Sequence, residues 1–390
     1  MKTFDSMLLM ALTSFINYRS VTFAFTQQGS IFRASKLASP SSFSTSLFAT
    51  EKARIIFLGT PDVAANSLTR LVKESKKDSS GYEIVGVVTQ PPKRRKRRGK
   101  EIQSPVGIAA EELEIPVLTP EKAKDEDFLT ELENVYKPDL CITAAYGQYL
   151  PKRFLRIPKL GTLNIHPSLL PRWRGASPVQ RSLEAGDNPV GVSVLFTVSK
   201  MDAGPIVRQA EEEIDENDDA TKVLPHLFQI GDDLLIDALQ DVIEGKMTMD
   251  TALEQDEEKI VNADMIDSSE GELFVWRDSA RTCHNKLRGF SMWPGTFIYV
   301  RIGDDEESEP VKMKIIKSRV LEESGLDLTD EICLGPNKKK DGLRVVCGDG
   351  SVLELLMVQP VTKKAMDAKS FVNGLRGQTV RWLKMPEQEE

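Results

Sequence analysis

Residues 54–71 read RIIFLGTPDVAANSLTRL. Four large apolar residues, Ile55 to Leu58, run without a break into Gly59, and apolar side chains then recur at Val63, Leu68, Leu71 and Val72, the spacing of one helix face. A short continuous apolar run is a strand covered on both sides, and such a strand feeding a helix is the opening half of a βαβ unit. The alternation continues. YEIVGVVTQ (82–90) reads as a strand, PVGIAAEELEI (105–115) as a helix, IPVLTP (115–120) as a short strand and DEDFLTELENVY (125–136) as a helix. Further strands are expected in PDLCITAAYG (138–147), GTLNIHPSLLP (161–171) and VSVLFTV (192–198), before a long amphipathic helix over 224–245 closes the domain. The pattern predicts an α/β fold built on a doubly wound, mostly parallel sheet over residues 53–246.

The rest of the chain is organised around that domain. At 390 residues, and roughly 100–200 per domain, two or three domains are expected. An apolar share of 40% with 28% charged residues supports packed cores and excludes a wholly disordered chain. No apolar run reaches the ~18 residues that a membrane span needs. Four scattered cysteines with no CxxC pair argue against a disulfide scaffold or a cysteine-rich zinc site, and only His166, His226 and His284 are available for imidazole chemistry. No metal is implied.

Residues 247–265 are polar and acidic, as a linker would be. Over 266–386 a short helix (279–290) precedes strand-like TFIYVRI, VKMKIIKSRVL, LRVVCG and SVLELLMVQP. The Gly/Asp turns between them, at 303–305 and 348–350, suggest a small β-barrel. Residues 1–52 differ from everything else. The first fifty carry Lys2, Arg19, Arg33 and Lys36 against Asp5 alone, a net +3 that leaves −11 for the remainder of a chain whose total is −8. A short apolar core followed by Ser/Thr-rich, acid-poor sequence is the composition of a cleavable targeting peptide for a mitochondrion or a plastid. The acidic body does not advertise nucleic-acid binding, so any such role must rest on a local patch.

A strand, a glycine turn and a helix also invite a dinucleotide. That fingerprint needs three glycines for close approach to a pyrophosphate, whereas Gly59 is followed by Thr60, Pro61 and Asp62, and Pro61 lacks an amide donor. The chemistry lies elsewhere. Asn164 and His166 stand two apart in LNIHP, on one face at the carboxyl end of an expected strand, where open α/β sheets carry their sites. An amide can donate to a developing oxyanion, an imidazole can move a proton, and Asp202 in KMDAGPI could hold the imidazole's charge. The residue types alone leave open a structural histidine and an aspartate that merely makes a turn.

With its neighbours, however, GTLNIHPSLLPRWRGASP resembles the N-x-H-x-S-L-L-P signature of folate-dependent formyltransferases, followed downstream by D-x-G at Asp202. The segments RIIFLGTPDVAA, VVTQP, PDLCITAAYGQYLP, RGFSMWPGTF and QPVTKKAMDAKSFVNG are similar to those of the methionyl-tRNA branch, from about Arg54 to Gly377. The resemblance implies a Rossmann-like catalytic domain and an OB-like C-terminal barrel that binds tRNA. It implies transfer of formyl from 10-formyltetrahydrofolate to methionyl-initiator-tRNA for organellar translation, by a monomer. It carries catalytic roles onto Asn164, His166 and Asp202, and the folate pocket onto Ser168, Leu169, Leu170 and Pro171. Two positions depart from the family: Val63 replaces a usual phenylalanine, and Asn262-Ala263-Asp264-Met265-Ile266 lacks a usual lysine. The alternatives within this reading are a transformylase of a small-molecule amine and a catalytically inactive tRNA-binding homologue.

Residues 93–100, KRRKRRGK, place seven positive charges in eight positions. Such a run stays solvated until it meets a polyanion. Lying between a strand end and a helix, it is expected on the same edge as Asn164. Arg98 matches the family's tRNA-recognition arginine before Gly-Lys, while Lys93, Arg94, Arg95, Lys96, Arg97 and Lys100 supply contacts to phosphate. Lys338-Lys339-Lys340, Lys363-Lys364 and Arg376 are further basic patches in a C-terminal region with 19 Lys/Arg against 22 Asp/Glu from Asp264 onward.

A chain shortened to begin at Glu51 should melt at the same temperature as the full chain and retain its activity, because residues 1–50 are read as contributing no core. Loss of soluble, active protein on this truncation would show that they do contribute.

Overall fold

The computed structural model describes residues 51–94, 99–337 and 341–385. The chain divides into two units, Met1–Ala49 and Thr50–Glu390, and everything below concerns the second. Residues 1–50 of the stretch read as a targeting peptide, the run Arg95–Arg98 and Lys338–Lys340 lie outside the described residues.

In chain order the first half comprises β1 (Ala53–Gly59), α1 (Asp62–Ser75), β2 (Tyr82–Val88), β3 (Lys93–Arg94), β4 (Glu101–Ile102), α2 (Pro105–Glu112), β5 (Val117–Leu118), α3 (Glu126–Glu131), β6 (Leu140–Ala144), α4 (Lys152–Leu155), β7 (Thr162–His166), β8 (Arg172–Gly175), α5 (Pro178–Ala185), β9 (Val190–Phe196), β10 (Ile206–Glu212) and α6 (Ala220–Ile243). Seven of these strands form one sheet in the order β10-β9-β7-β6-β1-β2-β5. From β5 to β7 every pair is parallel; β9 runs against β7, and β10 against β9. The doubly wound, mostly parallel expectation is met.

The alternation along β1 shows how both faces are covered. Ile55 and Phe57 join a core with Leu68 and Leu71 of α1 and Leu235 and Leu239 of α6. Ile56 and Leu58 point the other way, into a second core with Phe128, Leu132 and Phe154. Gly59 ends β1 because nothing larger fits there: a Cβ would stand 2.7 Å from the Cβ of Ala64 and 2.9 Å from the carbonyl oxygen of Ala144. This glycine serves close packing of helix on strand. Helix α2 starts on Ser104, whose Oγ accepts from the Gly107 amide at 2.9 Å, with Pro105 in its first turn. Helix α6 begins four residues before the expected start, because the Asp219 side chain caps it by accepting from the Thr221 amide at 2.9 Å and a turn forms ahead of Pro225.

The second half comprises β11 (Val261–Ala263), α7 (Ala280–Phe290), β12 (Thr296–Ile302), β13 (Val311–Leu321), β14 (Cys333–Leu334), β15 (Leu343–Val346), β16 (Val352–Pro360), β17 (Met366–Asp367), α8 (Ala368–Leu375) and β18 (Val380–Leu383). Its strands form an antiparallel sheet in the order β14-β15-β16-β13-β12-β18, with β17 beside β16. The ring is drawn together where the Ile332 amide bonds the Val380 carbonyl and the Trp382 amide bonds that of Asp330, each at 2.8 Å, which brings β18 against the residues leading into β14. Helix α7 packs on α5 of the first half, and Arg181 pairs with Glu270 through both guanidinium Nη atoms, at 2.8 and 3.1 Å.

The stretch read as a linker is built into the first half. Leu253 exchanges two backbone hydrogen bonds with Ile206, at 2.7 and 3.0 Å, and β11 runs parallel to β8, an element that the sequence did not announce.

Asp232 of α6 is 1% exposed, and its Oδ1 has no hydrogen-bond partner among the described residues. Burial pushes its carboxyl up to about 6, against the pull of Ser67 and Arg70. Because the native state binds this proton more tightly than the unfolded chain, the ionised carboxylate costs stability above pH ~6, and the cost disappears as pH falls below ~4. Asp232→Asn should therefore raise stability at pH 8 by up to about 3 kcal/mol, while Arg70 keeps Gln229 and Asp233 as partners. The gain should vanish by pH 4. Thermal melts across pH check this, and a gain independent of pH would assign it to something other than the charge.

Candidate active site

The carboxyl ends of β1, β6 and β7 meet on one edge of the sheet. The chain leaves β1 for β2 and β5 and returns to β6, so the strand order reverses between β1 and β6. A cavity of about 840 Å³ opens there, bordered by Thr60 and Pro61 after β1, by Gln90 and Lys93 after β2, and by Ala145 and Tyr146 after β6. Its size suits a ligand of substantial bulk.

Asn164 and His166 take the third and fifth positions of β7, on one face as their spacing requires. Asn164 lies opposite Thr143 of β6, whose Oγ1 donates to the amide oxygen at 2.7 Å. That contact uses the carbonyl end of the amide and leaves its NH2 as the free donor. His166 is 4% exposed. Its Nε2 donates to the Trp173 carbonyl at 2.9 Å, and its Nδ1 lies 3.7 Å from Asp202 Oδ2. A carbonyl can only accept, so Nε2 carries a proton, while Nδ1 faces the carboxylate. The second separation is an ion-pair distance with no direct hydrogen bond, and it leaves slack on the Nδ1 side.

Asp202 sits in a turn with left-handed backbone (φ 49°). Its Oδ2 accepts from the Gly175 amide at 3.0 Å. The three residues singled out from sequence are thus brought together, and the segment Trp173–Gly175 touches two of them. Gly175 itself takes φ 136°, and a Cβ there would stand 2.5 Å from the Ala263 carbonyl of β11.

The turn over Ser168–Pro171 is tied down by its own groups. Ser168 Oγ donates to the Arg172 carbonyl at 2.8 Å, and its carbonyl accepts from Ser193 Oγ at 2.6 Å. Gln209 Nε2 donates to the Leu170 carbonyl at 3.0 Å, and the Leu170 side chain is buried with Leu195 and Ile206. Ser168 and Leu169 border a second cavity, of about 430 Å³, together with Arg172, Trp173 and Asp187. Arg172 holds Asp187 through Nε and Nη2, both at 2.9 Å, and Trp173 Nε1 donates to the same carboxylate at 2.6 Å.

Sequence reasoning missed Thr143, because its role depends on register between two strands, and it missed the wall supplied by residues 253–263. Gln255 is 8% exposed and bonds two site segments, the Asp202–Gly204 turn and Arg174; Arg174 is 5% exposed and donates to Gln255 at 2.9 Å and to Glu257 at 3.1 Å. Lys200 and Arg174 hold the Glu257 carboxyl below its usual range. The other two histidines lie elsewhere. His226 pairs with Glu212 at the surface at 2.7 Å. His284 is buried between Ser318 Oγ and the Glu216 carbonyl, and burial pushes its pKa down. Among the described residues, no group of three or more His, Cys, Asp or Glu side chains could hold a metal ion. In the basic run, Lys93 and Arg94 pair with Ile102 and Glu101 in a two-stranded ribbon, exposed like Lys100.

Residues 53–239 match the family described as formyl transferase, and residues 266–376 match formyl transferase, C-terminal domain. Fold and matches together define a formyl transferase. The chain is 37% identical over 324 residues to a methionyl-tRNA formyltransferase of Listeria innocua, spanning 82% of this chain and 95% of that one. It is 35% identical over 322 residues to one from Clostridioides difficile, spanning 82% and 96%. It belongs to the methionyl-tRNA formyltransferase family. A sugar 3N-formyl transferase, solved in the presence of dTDP and 5-N-formyl-THF, shares the fold at a TM-score of 0.55 and 18% identity, over 80% of this chain and 100% of that one.

Proposed function

We propose that this chain transfers the formyl group of 10-formyltetrahydrofolate to the α-amine of methionyl-initiator-tRNA, as a monomer serving translation in a mitochondrion or plastid. The observation that carries the chemistry is the convergence of Asn164, His166 and Asp202 on one edge of the sheet. The amine nitrogen attacks the formyl carbon, and the carbonyl electrons move onto oxygen. The free NH2 of Asn164 and the imidazolium of His166 stabilise that oxyanion. The slack at Nδ1, 3.7 Å from Asp202, is where the reacting groups can enter. As the oxyanion collapses, the carbon–N10 bond breaks; the proton lost by the amine is the one N10 gains, and Asp202 assists its passage through water. Asp202 also holds the imidazolium in place.

The folate is assigned to the Ser168–Pro171 turn. Because the Ser168 hydroxyl and the Leu170 side chain are used by the fold, Leu169, Pro171 and backbone groups are left to meet it. The aminoacyl end is assigned to the 840 Å³ cavity, where Lys93 connects it to the basic run. Arg98 places the acceptor end, while Lys93–Arg97 and Lys100 add electrostatic affinity. The composition of residues 1–52 supports the organellar reading. The Lys/Arg clusters at 363–364 and 376 support tRNA contact by the barrel.

Asn164→Ala and His166→Ala should each lower kcat for formylation of methionyl-tRNA by about 10²–10⁴, with Tm and folate affinity little changed. Near-parental turnover in either variant would remove the mechanism. In the basic run, neutralising Lys93–Arg97 should flatten the salt dependence of tRNA binding and weaken initiator and elongator tRNAs alike. Arg98→Ala should instead act mainly on kcat/KM, because it governs placement. Filter binding and steady-state kinetics across salt separate the two effects; equal formylation by Arg98→Ala and its parent would end the assignment of this arginine.

A further inference from the structure

We infer that Gln255 is a positioning residue for the transfer reaction, acting from the segment that follows α6 by fixing the turn that carries Asp202. The inference rests on the role assigned to Asp202 above. Gln255 lies in a stretch whose neighbours, Glu254 and Asp256 to Glu258, are all exposed, yet it is 8% exposed itself. Its amide is used in full. Nε2 donates to the Asp202 carbonyl at 2.8 Å and to the Gly204 carbonyl at 2.6 Å, and Oε1 accepts from Arg174 Nε at 2.9 Å. One side chain therefore joins the Asp202 turn to the strand whose next residue, Gly175, donates to the Asp202 carboxylate.

The turn needs such a clamp. Asp202 is held in the left-handed region (φ 49°), which a non-glycine residue occupies at a cost that its surroundings must offset. Removing the donor frees two carbonyls and lets the backbone relax, carrying Oδ2 away from His166. Arg174 is stranded as well, since among the described residues its buried Nη2 has no partner and Gln255 and Glu257 alone hold the rest of the guanidinium. The Ser168–Pro171 turn, by contrast, is tied to Ser193 and Gln209, with no bond to Gln255. Loss of Gln255 should therefore fall on the chemical step and spare folate binding.

The test uses the full chain and follows formylation of methionyl-tRNA. Gln255→Leu should lower kcat by about 10–100-fold, the scale of an ångström-sized misplacement, with KM for 10-formyltetrahydrofolate within about threefold of the parent. Gln255→Glu keeps the acceptor for Arg174 but has no N–H to give the two carbonyls, so it should lose at least about tenfold in kcat; it also serves as the readout if the leucine variant does not fold. Asp202→Asn supplies the reference. If Gln255 works through Asp202, adding either Gln255 substitution to Asp202→Asn should cost no more than about threefold further, a strongly non-additive cycle. Parental kcat in Gln255→Glu, or losses that multiply in the double variant, would overturn the inference while leaving the site assignment standing. Parental kcat in Asp202→Asn would remove the site assignment, and the inference with it.

Discussion

The backbone pairing of Arg172–Gly175 with Val261–Ala263 is the contact on which the site depends. A carbonyl and an amide two residues apart, those of Trp173 and Gly175, meet opposite needs: the first takes the proton side of His166, the second feeds the carboxylate of Asp202. Neither group is a side chain, so their positions are set by where the strand lies. The strand lies where the following segment holds it, close enough that only a glycine can stand at position 175. The geometry of these two side chains is thus decided by a piece of chain some ninety residues downstream of one and sixty of the other.

How much of this was legible follows from the physics of each element. The buried strands announced themselves because both faces of a parallel sheet are covered, so Ile55–Leu58 and Leu140–Ile142 read as unbroken apolar runs. Asn164 and His166 could be placed because a strand's period of two is local information. Thr143 could not, since its partnership with Asn164 is a matter of inter-strand register. Residues 247–265 read as a linker because their exposed side chains are polar and acidic. Their function is carried by backbone hydrogen bonds and by one buried amide, neither of which leaves a pattern in hydropathy. The early start of α6 was hidden by Pro225, which suggests a first turn when it actually sits in the second. The turn at Ala203-Gly204 is fixed by a clamp that comes from elsewhere in the chain.

The two halves meet through specific polar groups as well as packed helices. Arg181 forks onto Glu270, Arg288 donates to the Asp218 carbonyl at 2.7 Å, and His284 spans from Ser318 in the barrel to the Glu216 carbonyl of the catalytic half. Buried donors of this kind are costly to separate, because each side would be left with unpaired groups. The barrel is consequently docked against the catalytic half, and the strand β11 that leads to it is shared between them. A polyanion bound along both halves would meet a surface whose two parts do not have to find each other.

The shared strand has a consequence for how the protein comes into being. A ribosome delivers the catalytic half first, and domains emerging from it generally begin to fold as they appear. Here residues 53–243 can form their sheet and most of both cores while the wall of the site is still unsynthesised, because Gln255 and Val261–Ala263 follow α6 in the chain. The nascent chain therefore passes through a stage that is folded and yet unfinished, with the Asp202 turn not yet clamped. The site is complete only when the segment leading to the second half has been laid down, so the order of translation is also the order in which the site is assembled.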